Sequence, residues 1–137
     1  MTATRLVVGI TGASGVIYGL RLLEALRELK VESHLVMTRA AEMTLAYETD
    51  HTLAEVQALA HTRYAIGDVG AAIASGSFPA AGMIIAPCSM KSLAEIATGV
   101  TSNLLTRAAD VMLKERRRLV MMVRETPLHA VHIRNML

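Results

Sequence analysis

Aromatic residues are scarce in this sequence: there is no Trp, three Tyr and one Phe, 3% in all. Proteins that hold single-stranded nucleic acid stack bases on aromatic side chains along a basic groove. Neither ingredient is present: 14 Lys and Arg face 12 Asp and Glu, a net charge of +2, and Arg116-Arg117-Arg118 is the one basic cluster. The single cysteine, Cys88, excludes an internal disulfide and fits a reducing compartment. No apolar run approaches the roughly 20 residues a membrane helix needs. The start, Met1-Thr2-Ala3-Thr4-Arg5, leads straight into a strand pattern without the features of a secretory leader. The expectation is a cytoplasmic protein with no nucleic-acid or membrane partner. The five His (34, 51, 61, 129 and 132) follow no metal-ligand spacing. His129 and His132 are three apart, but no Cys or carboxylate completes a set, so no metal is expected.

What is present is apolar. Hydrophobic residues make up 53% of the 137 positions and charged residues 19%. That suggests a single globular domain over 1–137, large enough to bury a core. The nine Met read mainly as core filling, and the apolar surplus leaves room for a subunit interface.

The sequence is organised around Val7-Val8-Gly9-Ile10-Thr11-Gly12-Ala13-Ser14-Gly15, an apolar run ending in a small-residue loop. A helical pattern over 15–29 and a strand over 31–37 follow, so 1–37 reads as a βαβ unit. Strand, glycine loop and helix start make a phosphate-loop signature, in which free N–H groups at the helix start attract the anion. Helices are predicted over 39–47 and 52–61, the second with Thr52 as cap and Glu55 at the capping-box position. A short helix is expected near 67–74. A strand over 82–86 stops at Pro87, and helices follow over 89–97, beginning at Ser89, and over 102–115, capped by Ser102 or Asn103. A last strand covers 118–123, and Pro127 opens a final helix over 127–136.

Each candidate site has a plain structural reading beside its chemical one. The spacing Gly9-x-x-Gly12-x-x-Gly15 is not the dinucleotide Gly-x-Gly-x-x-Gly; it serves a phosphate or simply a tight turn. Thr38-Arg39 stands where a nicotinamide enzyme usually carries an acid, which suits a 2′-phosphate. No Tyr-x-x-x-Lys pair supports a reductase. Pro87-Cys88-Ser89-Met90-Lys91-Ser92 lies where a strand gives way to a helix, a ligand position in open parallel sheets or an ordinary cap. Cys88 reads as a packed side chain rather than a nucleophile. Arg107 and Lys114 are seven residues apart, about two turns on one helix face. With Asp110 between them they hold a phosphate or form a solvated salt-bridge face. Arg124-Glu125 follows the last strand. Glu48 ends a helix, an electrostatically poor place for an acid.

Taken together these segments resemble the flavin prenyltransferase family. The matching pieces are Gly9–Gly15, Glu48-Thr49-Asp50, Ser75-Gly76-Ser77-Phe78 and Pro87–Ser92. Arg107–Val111 with Leu113–Arg116, and Val123–Leu128, complete them in family order. The resemblance implies an α/β, flavodoxin-like Rossmann three-layer sandwich with a parallel sheet that binds FMN. Gly12, Ala13 and Ser14 would meet the flavin and its phosphate, with Thr38 keeping a hydroxyl where the family usually has Ser. Ser89, Met90, Lys91 and Ser92 would line the flavin, and Arg124 would bind it. Arg107, Lys114, Glu48 and Glu125 match positions that serve dimethylallyl phosphate, some of them across trimer contacts of a dodecamer.

The implied reaction joins a dimethylallyl group to N5 of reduced FMN and closes a ring onto C6. The prenylated FMN then serves a separate aromatic-acid decarboxylase, in ubiquinone biosynthesis or aromatic acid metabolism. Arg107 and Lys114 would hold the leaving phosphate, while Glu125 with Ser14 would move protons; no metal is implied. Arg118 stands where the family often has Pro. The sequence also reads as lacking the family's C-terminal strand and helix, so an impaired enzyme is expected. The alternatives are a non-catalytic FMN-binding subunit of a decarboxylase complex, a flavin-dependent cysteine decarboxylase and, last, an NADP reductase.

Overall fold

The strands Arg5–Ile10 (β1), Glu32–Met37 (β2), Thr62–Tyr64 (β3), Gly82–Cys88 (β4) and Arg118–Val123 (β5) form one parallel sheet in the order β3-β2-β1-β4-β5. The computed structural model describes residues 3–137; the first two residues of the expected βαβ span lie outside it. The helices are Val16–Glu28 (α1), Arg39–Glu48 (α2), Leu53–Leu59 (α3), Met90–Thr98 (α4), Leu104–Lys114 (α5) and Ala130–Met136 (α6).

Two apolar layers sandwich the sheet, because successive strand residues point to opposite faces. Val8, Ile10, Leu35 and Met37 pack under Leu20, Leu23 and Leu26 of α1, Leu45 of α2 and Val56 of α3. Val7, Val36, Met83 and Ile85 pack under Leu93 of α4 and Leu104, Leu105, Ala108 and Met112 of α5. This is the expected α/β, flavodoxin-like arrangement. β5 buries less: Val120 and Met122 are 47% and 43% exposed, and α6 has no buried residue.

Capping follows the sequence. Thr52 accepts from Glu55 N–H, Ser89 from Ser92 N–H, and Asn103 from Thr106 N–H in a reciprocal capping box.

Three expectations are corrected. Residues 62–80 contain β3 and only a 3₁₀ turn, Ala72–Ala74, in place of a helix near 67–74. Gly67 and Gly70 interrupt that stretch, and its N–H groups close local turns, Asp68 to Ala65 O and Val69 to Gly67 O. Pro87 does not stop its strand: β4 runs to Cys88, and its ladder with β5 skips from Ile85 to Cys88. The irregularity accommodates a residue with no N–H to give. The last helix begins at Ala130, not Pro127, because the His129 and His132 side chains cap each other's N–H groups and fix the start there.

α1 lies close to β4 because Gly19 has no side chain. A Cβ there would sit 2.6 Å from the Ala86 carbonyl oxygen and 2.7 Å from Ile10 Cδ1. Gly19→Ala should destabilise the fold by about 1–3 kcal/mol, read from the denaturant midpoint. Gly67→Ala, with nothing within 4 Å of its Cβ, should stay within about 0.5 kcal/mol of wild type.

Candidate functional site

The strand order reverses between β1 and β4, whose neighbours lie on opposite sides. At such a switch point the loops beyond the carboxyl ends of the strands diverge and leave a crevice. Here a cleft of about 780 Å³ opens there. Gly12, Ala13 and Ser14 line it from the loop after β1, and Thr38 from the start of α2. Ser89, Met90, Lys91 and Ser92 line it from the start of α4, and Arg124 and Glu125 from the segment after β5. All nine residues expected to meet the flavin therefore share one cavity.

A buried threonine holds the two central loops together. Thr11, 1% exposed, donates its hydroxyl to the Pro87 carbonyl at 2.7 Å and accepts from Ser89 N–H at 2.9 Å. Its own N–H donates to the same carbonyl at 3.3 Å. Further out, Arg124 N–H donates to Cys88 O at 3.2 Å.

The glycine loop departs from the expected phosphate loop. Gly15 is the N-cap of α1, with φ of 105°. The N–H groups of Gly15 and Val16 both donate to Glu48 Oε1, at 3.0 and 3.3 Å. The start of α1 is thus already capped by a carboxylate of this chain. Among the described residues, the N–H groups of Gly12, Ala13 and Ser14 have no partner within the chain. Gly12 packs against α2, where a Cβ would lie 2.5 Å from that of Ala40, and its carbonyl accepts from Thr44 Oγ1 at 2.8 Å.

This contact accounts for the acid at the end of α2. The Glu48 carboxyl turns away from its own helix to the positive end of α1. Its pKa is held below the ordinary 4.5, first by the Gly15 N–H, then by the Val16 N–H, the Ser14 side chain and the Arg124 charge.

Ser89 satisfies both of its readings: it caps α4 and lines the cleft. Lys91, Arg39 and Arg124 are the cations of the wall, with Glu95 and Glu125 the acids. Glu95 pairs with Ser102 across the α4–α5 connection. Sequence reasoning omitted Glu95, although it lies one turn beyond Lys91. It also omitted Asn103, singled out only as a cap, and Ile66, Gly67 and Val69, which come from an irregular stretch with no periodic signal. Arg107 and Lys114 are exposed on α5 and do not line this cleft. No ion pair joins Arg107 to Asp110 among the described residues.

Cys88 is fully buried, and burial pushes its thiol up to about 12, which suits packing rather than nucleophilic attack. The one metal-type grouping among the described residues, Glu32, His34 and His61, involves the opposite, amino-terminal end of β2.

The family model described as Flavoprotein matches residues 1–136. The flavin prenyltransferase UbiX of Thauera aromatica is 59% identical over 132 residues, 96% of this chain and 68% of that protein. The chain belongs to the flavin prenyltransferase family. Solved structures agree. AnUbiX (PadA1), in complex with FMN and dimethylallyl pyrophosphate, superposes with a TM-score of 0.98 at 54% identity, over 98% of this chain and 72% of that one. A dodecameric FMN-dependent UbiX-like decarboxylase from Escherichia coli O157:H7 gives 0.96 at 49%, over 97% and 73%. Family membership thus accounts for the common order of the motifs, and the cleft shows why the ones that line it are spaced so widely: Gly12–Ser14 follow β1, Thr38 follows β2, Ser89–Ser92 follow β4 and Arg124 follows β5.

The cap on α1 has a pH signature. A carboxylate whose pKa is lowered by folding contributes stability that is fully present above its ordinary pKa and fades as pH falls through the lowered one. Glu48→Gln should therefore lower the melting temperature at neutral pH, and the gap to wild type should close progressively below about pH 4.5. A gap independent of pH removes the carboxylate from this role. For Cys88, alkylation by iodoacetamide at neutral pH should proceed no faster than global unfolding.

Proposed function

We propose that this chain is a flavin prenyltransferase, moving a dimethylallyl group from its phosphate ester to reduced FMN. The observation that carries the reading is the convergence of Gly12–Ser14, Thr38, Ser89–Ser92 and Arg124 on one cleft at the switch point. Its volume of about 780 Å³ lies within the roughly 300–1,000 Å³ usual for cofactor sites. The unpaired N–H groups of Gly12, Ala13 and Ser14 and the charges of Lys91 and Arg124 suit a bound phosphate and an electron-rich ring.

Each residue has a task in this reading. Gly12, Ala13 and Ser14 bind the FMN phosphate and edge. Thr38, Ser89, Met90, Lys91 and Ser92 hold the flavin, and Arg124 closes on it from β5. Loss of phosphate from an allylic ester leaves a cation, so catalysis needs donors that hold the departing anion. Arg107 and Lys114 supply them to the cleft of a neighbouring copy, which suits their exposure on α5. Glu48 holds Ser14 in place, and Glu125 exchanges protons with the reacting flavin edge.

The reading includes a homo-oligomer built on trimer contacts as a dodecamer, supported by the dodecameric neighbour. It also includes one FMN-binding domain over 1–137, delivery of the product to a separate decarboxylase, and a cytoplasmic setting that suits the lone Cys88. No helix among the described residues is long and apolar enough to cross a membrane.

The test is anaerobic incubation with reduced FMN and either dimethylallyl phosphate or its pyrophosphate, followed by the mass of the extracted flavin. A flavin heavier by one prenyl unit supports the enzyme. Bound but unchanged FMN leaves a binding subunit, and no FMN binding sinks both. Ser14→Ala should slow transfer about a hundredfold, within the range for lost proton-transfer assistance, while FMN affinity falls much less. Equal losses reduce Ser14 to a phosphate contact.

A further inference from the structure

We propose that Glu32, His34 and His61 form a binding site for a divalent transition-metal ion of the zinc type, at the end of the sheet opposite the flavin cleft. Glu32 and His34 stand on one face of β2, two residues apart, and His61 directly precedes β3. The pairing of His34 with Thr62 brings the third residue alongside the first two. One ligand atom from each lies within 4.8 Å of the other two. Glu32 Oε1 is 3.5 Å from His61 Nδ1 and 3.8 Å from His34 Nε2. Tetrahedral zinc with nitrogen and oxygen ligands holds its donors about 3.3 Å apart, so small side-chain movements close the site.

The second observation is His34 itself. It is 5% exposed, and its Nε2 is buried with no hydrogen-bond partner. Its Nδ1 lies 2.9 Å from the Tyr64 hydroxyl. If Nδ1 carries the proton and donates to Tyr64, Nε2 presents a bare lone pair toward the Glu32 carboxylate. If Nε2 carries it, Glu32 at 3.8 Å is too far to accept. A cation between them satisfies both atoms. The Tyr64 contact is the outer-shell bond that typically fixes the tautomer and orientation of a metal-binding imidazole.

The surroundings temper the affinity. Arg5 Nε sits 3.5 Å from the same Glu32 oxygen, and Arg27 and Lys30 line a cavity of about 300 Å³ that Glu32 and His61 share. Arg5 therefore competes with a cation for Oε1, the Glu32 oxygen that faces both rings. His61 Nδ1 also lies 3.0 Å from the Thr62 hydroxyl, a weaker partner than a metal ion. The cavity supplies the open side for a fourth, water ligand. Bound there, the ion ties β2 to the connection between α3 and the three-residue edge strand β3.

The experiment titrates tag-free, chelator-treated chain with Co²⁺, followed by the visible absorption of four-coordinate cobalt, and then displaces it with Zn²⁺. One saturating equivalent is expected, and Zn²⁺ should raise the melting temperature, since a ligand of the folded state stabilises it by mass action. His61→Ala, at a half-exposed side chain, and Glu32→Gln should each weaken binding about a hundredfold, and Tyr64→Phe about tenfold. The His129→Ala/His132→Ala double variant, altering the two stacked rings at the start of α6, should bind as wild type. Absence of saturable binding overturns the proposal. So does binding that survives His61→Ala and Glu32→Gln, or that disappears with His129 and His132.

Discussion

The site depends on one buried side chain. Thr11 joins the ends of two strands that lie more than seventy residues apart in sequence, using its hydroxyl as donor to Pro87 and acceptor from Ser89. Both hydrogen-bonding roles are satisfied inside the protein, so the polar group is buried at little cost. Without that tie, the glycine loop and the start of α4 would be two independent loops on neighbouring strands. With it, they form two walls of one cleft at a fixed separation. Thr11 itself does not line the cleft; it sets the position of the residues that do.

Charge is distributed by the same logic. The start of α1 attracts an anion, as every helix start does, and the chain supplies one from Glu48 across the α1–α2 packing. The helix start is therefore satisfied from within the chain, and the N–H groups left unpaired beside the cleft are those of the loop before it. Because Ser14 and Arg124 both act on Glu48, the acid is coupled to the cleft without lining it. A carboxylate held ionised beside the Ser14 hydroxyl can orient it, which is how Glu48 enters the proposed chemistry.

Much of this was legible in the sequence, where several local signals agreed. β1, the glycine loop and α1 combine apolar runs, small residues and helical spacing, and each points to the same unit. The caps at Thr52, Ser89 and Asn103 were readable because capping is a local hydrogen bond. β3 was not: three residues, Thr62-Arg63-Tyr64, show no period, and they form a strand only because β2 offers an unpaired edge. The role of Glu48 was half visible, as a charge in the wrong place, but its partner lies more than thirty residues earlier. His34 and His61 were invisible as a pair for the same reason. No spacing rule connects a strand residue to one set beside it by the register of its neighbour.

The segment between β3 and β4 has two unequal halves. Arg117 donates to the carbonyls of Gly76 and Phe78, at 2.6 and 2.7 Å, and so rivets the second half to the turn before β5. The first half is tied at Ile66, whose carbonyl accepts from Leu104 N–H at 2.9 Å, but residues 67–70 beyond it are exposed, and Gly67 and Gly70 stand in open space. Ile66, Gly67 and Val69 are also part of the cleft wall. A protease seeking an extensible stretch will nick the chain at 67–70 and spare 75–78. Because a ligand in the cleft would press on the vulnerable half, the rate of that nick becomes a gauge of occupancy, readable on a gel without following any chemistry.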